Sequence, residues 1–116
     1  MNKRWLLVAM LSLPALCVGG DSLLSWTAPT TRTDGALLPA TEIGGYRVYH
    51  GSVDNDLTLL AELANTPTTY THVNAVVGTH YYAVTTFDTV GNESGYSNIV
   101  AKVFLSAPAA VTLTIQ

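Results

Sequence analysis

Beyond its first twenty residues the chain alternates apolar and polar positions with period two, and Gly, Pro, Asn or Asp breaks the alternation at short intervals. No stretch carries the spacing of a helical face. The alternation predicts six strands. Residues 22–26 put Leu24 and Trp26 on one side, and Pro29 closes this strand because it has no amide to give to a ladder. A long loop follows, with Asp34-Gly35 as its turn and Pro39 set against regular pairing. Residues 46–50 place Tyr46, Val48 and His50 on one face and Arg47 and Tyr49 on the other, and residues 57–63 place Leu57, Leu59, Ala61 and Leu63 on a single side. Further strands are predicted over 68–73, 79–87 and 96–104, with a corner at Gly78 and a polar hairpin loop over 88–95. Six short, evenly spaced strands predict an all-β domain of two antiparallel sheets packed face to face.

The two ends follow other rules. Lys3 and Arg4 precede an apolar run over residues 5–13, Pro14 breaks it, and small residues stand at Gly19 and Gly20. That is the order of a secretory signal peptide. The run is too short to cross roughly 30 Å of hydrocarbon as a helix. Residues 1–20 are therefore expected to be removed after Gly20, giving a secreted, periplasmic or cell-surface product that meets a membrane only through an uncleaved N-terminus. The one cysteine, Cys17, lies in this segment with Leu16 before it, which disfavours lipid attachment. The domain over residues 21–105 then has no thiol and no disulfide framework. In the tail, residues 106–116, Val111, Leu113 and Ile115 alternate with Thr112 and Thr114 after Pro108, and an extra strand is expected over 110–116. It could fill an open edge of its own domain, reach a neighbouring molecule, or fray.

Composition narrows the function. A length of 116 residues fits one domain, and 48% apolar against 11% charged residues excludes disorder and a coiled coil. Without residues 1–20, Arg32, Arg47 and Lys102 face all eight acidic residues, which argues against nucleic acid as a partner.

The segments Leu24-Ser25-Trp26-Thr27-Ala28-Pro29, Gly45-Tyr46-Arg47-Val48-Tyr49, and Gly78-Thr79-His80-Tyr81-Tyr82-Ala83-Val84-Thr85 occur in series, followed by residues 88–94 with Ser97-Asn98. In order and spacing they resemble fibronectin type III domains, most of all the single-domain bacterial and phage-encoded kind, over residues 21–104. The resemblance implies an immunoglobulin-like β-sandwich with strands B, C, C′, E, F and G, and with Trp26 as the core tryptophan of strand B. It also implies a non-catalytic recognition module. Strand A has no room if cleavage follows Gly20. The family's tyrosine at the E–F corner falls on His80 when counted back from Asp88 and on Tyr81 when counted forward from Gly78, and a slip of one residue exchanges the two faces of the strand.

Few residues could carry chemistry. No Gly-x-Ser-x-Gly elbow or phosphate-binding glycine loop is present, and Asp54, Asp56, Asp88 and Glu93 all fall in turns. No enzyme activity and no cofactor are expected. In the implied topology His50, His72 and His80 reach one pole, with Asp54 and Asp56 in the next loop. Imidazoles there would suit zinc, nickel or copper, but the residues form no compact ligand motif, so each is expected to be a half-buried strand end and no metal is assigned. Arg32, Asp34, Asn92, Glu93 and Tyr96 gather on the loops of the other pole. Arg47, Tyr49 and Tyr81 are candidates for the outer sheet face, where an aromatic beside an arginine suits a sugar or a protein. The binding residues expected are Arg32, Asp34, Arg47, Tyr49, Asn92 and Glu93. The expected partner is a protein or carbohydrate at a cell or particle surface, as in adhesion, and the alternative is a structural subunit that self-associates through residues 109–116.

Overall fold

A computed structural model describes residues 18–116, so the predicted signal peptide lies almost wholly outside the described residues. The elements are β1 (Val18–Ser25), a single 3-10 turn (Ala40–Glu42), β2 (Ile43–Gly51), β3 (Thr58–Leu63), β4 (Thr69–Val76), β5 (Gly78–Asp88) and β6 (Val100–Phe104). They form two antiparallel sheets, β1-β4 and β3-β2-β5-β6. The all-β sandwich read from the alternation is what forms.

β2 is the central strand. Its inward residues Tyr46 and Val48 are fully buried, and Tyr46 meets Trp26 edge to face at 5.2 Å. Burying each such apolar side chain contributes roughly 1.5–3 kcal/mol. The pairing of Val48 with Val84 and of His50 with Tyr82 settles the register of β5: His80, Tyr82 and Val84 face inward, and Tyr81 faces out. The count back from Asp88 is therefore the correct one. His80 takes the corner position and bonds back to the carbonyl of Val76 at 2.6 Å.

Three strands differ from their predicted form. A register shift between Val48 and Tyr49 puts a bulge in the β2-β3 pair, so Ala61 opposes Val48 on the inner face while Leu59 opposes Tyr49 and is 54% exposed. The single apolar side expected for residues 57–63 is broken there. β6 begins at Val100, later than expected. Ahead of it the hydroxyls of Ser94 and Ser97 accept the amides of Thr86 and Val84, each at 2.9 Å, where main-chain carbonyls would have continued the ladder. β1 begins at Val18, ahead of the expected boundary, with Gly19 and Gly20 against Phe104, whose ring any Cβ there would strike.

The tail also departs from expectation. Residues 105–116 join no ladder, and Val111, Leu113 and Ile115 are 89%, 87% and 96% exposed. Among the described residues β1 pairs only with β4, so no strand pairs along its other side and the tail does not fill it.

Candidate functional site

β2 and β5 pair from Ile43–Asp88 to Gly51–Tyr81, and chemically active residues gather at both ends of the pair. His50 ends β2 and His80 starts β5. From the other sheet β4 brings His72 to the same pole. His50 Nε2 lies 2.7 Å from His80 Nδ1, and the three rings pack with centroids 4.9–5.9 Å apart. His72 Nδ1 lies 2.7 Å from the Tyr82 hydroxyl, which itself donates to Ser22 Oγ at 3.1 Å. One ring nitrogen from each histidine lies within 4.8 Å of the other two. Burial and the two neighbouring rings hold the pKa of His50 below its ordinary value, and burial with His80 does the same for His72, so these rings are neutral at pH 7. Asp54 and Asp56 stay exposed beyond β2 and are not in the cluster.

The opposite pole is built on Asp88. Its carboxylate accepts from Arg32 Nη1 at 3.0 Å, from the Asn92 amide and side chain at 2.8 and 3.1 Å, and from the Val90 amide at 3.1 Å. Arg32 closes the arrangement through Glu42 at 2.7 Å. The arginine first, and the Asn92 and Val90 donors after it, hold the Asp88 carboxyl at about 2. Arg32 and Asn92, expected as binding residues, are thus occupied in fixing the two loops. Asp34, also expected there, accepts the Ala36 amide at 2.9 Å within its own turn, where Gly35 takes a φ of 89°.

The remaining three expected residues meet elsewhere, on the outer face of the four-stranded sheet. Glu93 accepts from Thr85 and Tyr49 hydroxyls, both at 2.6 Å, and from Arg47 at 2.7 Å. Those donors hold its pKa below the ordinary carboxylate value. Arg47 also pairs with Glu62 at 2.8 Å and lies 4.4 Å above the Phe87 ring. Phe87 reaches that position because Gly44 and Gly45 leave space, and a Cβ at Gly45 would strike Leu63 O and this ring. Tyr96 packs edge-on to Tyr49 at 5.0 Å.

Asp88 and the Ser22–Tyr82 pair were missed as organising residues. Asp88 had a local signal, an aspartate at a strand end followed four residues later by Asn92. Ser22 and Tyr82 are sixty positions apart in sequence and meet only in the folded chain.

The sixth fibronectin type III domain of human fibronectin type III domain containing protein 3 superposes on this structure with a TM-score of 0.58 at 18% identity, over 82% of this chain and 81% of that one. A second human fibronectin type III domain, from the protein KIAA0970, gives a TM-score of 0.57 at 17% identity, over 90% and 83%. The chain has the fibronectin type III fold. The structure also superposes on part of the β-1,2-glucanase of Parabacteroides distasonis, with a TM-score of 0.53 at 22% identity over 78% of this chain and 13% of the enzyme. No family model matches the sequence and no curated protein does, so the likeness is one of fold. In fibronectin type III lettering β1 to β6 are strands B, C, C′, E, F and G, and His80 replaces the corner tyrosine of strand F.

Proposed function

We propose that the chain is an exported, non-catalytic fibronectin type III module that binds a glycan or protein at a cell or particle surface through the outer face of its four-stranded sheet. The Tyr49–Tyr96 pair carries the reading: Tyr96 is 50% exposed, and Tyr49 is held by Glu93, which Arg47 and Thr85 hold in turn. An aromatic surface ordered before its ligand arrives loses little side-chain freedom on binding. The P. distasonis enzyme on part of which the structure superposes is a glucanase, which makes glycans the first ligands to try. Glycan and protein arrays test the reading. Tyr49→Ala and Tyr96→Ala should each weaken a retained ligand roughly tenfold, and retention that ignores both changes would refute this face as the contact.

Export is part of the proposal, and N-terminal sequencing of protein recovered outside the cytoplasm tests it. Cleavage after Gly20 would take the first three residues from β1, including the glycines packed on Phe104.

A second reading is favoured by the tail. Val111, Leu113 and Ile115 are apolar, alternating and almost fully exposed, and no strand pairs with β1 on the side away from β4 among the described residues. Strand addition between copies would bury both. Removal of residues 109–116 should then convert an oligomer seen by light scattering into a monomer. An intact chain that is already monomeric at high concentration rejects this reading.

A further inference from the structure

The histidine pole has a property that its role at the corner does not explain. A carbonyl only accepts, so the 2.6 Å contact with Val76 O puts a proton on His80 Nε2 and leaves Nδ1 as a lone pair directed at His50 Nε2. Tyr82 gives its proton to Ser22, so its oxygen receives one from His72 Nδ1, and His72 keeps its lone pair on Nε2. Two of the three rings thus donate one nitrogen to a fixed oxygen and keep the other as a base. That is how metal-ligating imidazoles are held, with the second nitrogen bonded to a carbonyl or hydroxyl that sets the tautomer.

We propose that His50, His72 and His80 form a site for one divalent transition-metal ion, Zn²⁺ in the first instance. Tetrahedral zinc at about 2.0–2.1 Å from each nitrogen sets the nitrogens about 3.3 Å apart. The 2.7 Å His50–His80 pair lies inside that value and the 4.8 Å outer limit lies beyond it, so small ring rotations on fixed strands convert one arrangement into the other. A cation between His50 and His80 would also replace the single proton that those two nitrogens now share. All three donors are neutral nitrogens, which select zinc, copper or nickel over magnesium or calcium. The local charge is balanced. Asp21 exerts a favourable field on His72, and the Lys102 ammonium is held on the carbonyl of Asp21 at 2.9 Å. The ligands come from β2 and β5 in one sheet and β4 in the other, so the ion would clamp the two sheets of a domain without a disulfide.

The test uses the full chain carrying Cys17→Ser, which removes the one competing thiol, stripped with a chelator and titrated with ZnCl₂, NiCl₂ or MgCl₂. Calorimetry should show one zinc per chain. At a hundredfold excess over Kd zinc should raise Tm by about 10 °C, while magnesium leaves it unchanged. His50→Ala should weaken zinc binding at least tenfold. His80→Tyr restores the corner residue usual for this fold, so it should fold and yet lose the zinc-dependent rise. No bound zinc, equal Tm in zinc and magnesium, or wild-type zinc affinity in folded His80→Tyr would each overturn the site.

Discussion

The two poles of the sandwich are made by the same pair of strands and solve opposite problems. At the Asp88 end, charge is matched by charge: the carboxylate takes four donors and Arg32 is shared between two acids. Those groups hold the two loops together. At the His50 end three imidazoles crowd each other, two of them bonded through one nitrogen to a fixed oxygen and left with the other nitrogen facing the cluster. At the first pole the buried acid is matched by its donors, whereas at the second each imidazole keeps a nitrogen that a proposed ion would use.

Breaking the charged pole should have the largest effect. Asp88→Ala strips both loops of their shared acceptor and should lower Tm by roughly 10 °C in thermal unfolding. The same group makes the domain acid-sensitive. Its carboxyl sits at about 2 in the folded chain against an ordinary 3.8, so the unfolded chain takes up the proton first. The stability it contributes is whole above the ordinary value and is lost as pH falls from there toward about 2. Tm followed against pH should show this limb, and Asp88→Asn should flatten it.

The histidine pole should respond less in stability and more in binding. Tyr82→Phe removes the hydroxyl between His72 and Ser22, which should cost about 1 kcal/mol and lower Tm by roughly 5 °C. It should also weaken zinc about tenfold, because His72 loses the partner that sets its tautomer. If Tm falls while zinc affinity stays, the hydroxyl is only a packing element and the contrast between the poles is weaker than drawn. The smallest effect belongs to the exposed regions. Asp34→Ala, and separately the removal of residues 109–116 from a monomeric preparation, should each move Tm by less than about 2 °C.

Sequence pattern carried the sandwich because alternation in residues 46–50 and 79–87 is a direct trace of one buried face, and that face dominates folding. It could not carry the register of β5. His80 and Tyr81 stand side by side, both amphipathic, and only the Val76 carbonyl and the pairing with β2 choose between them. The bulge at Val48 was equally hidden, because Leu59 is as apolar as its inward neighbours and is exposed only by the shifted pairing. Of the expected binding residues, Arg47, Tyr49 and Glu93 share a face because two lie on one strand and the third folds back over it. Arg32 gives no sign in sequence of the acid 56 positions away that holds it, whereas the tie between Asn92 and Asp88 is local. The histidines were placed at one pole by topology alone, whereas their closeness depends on side-chain angles that no pattern records.

Ser94 and Ser97 bear on how copies of this chain would meet. Their hydroxyls occupy the Thr86 and Val84 amides of β5, so an incoming strand at that stretch finds its donors already spent. Over that stretch the larger sheet is sealed by two short side chains and their own amides, whereas β3 and β6 at its two borders, like β1 and β4 in the smaller sheet, have no further strand beside them among the described residues. Any strand addition between copies would therefore be turned away from that stretch of β5 and left to the borders that still lack a neighbouring strand.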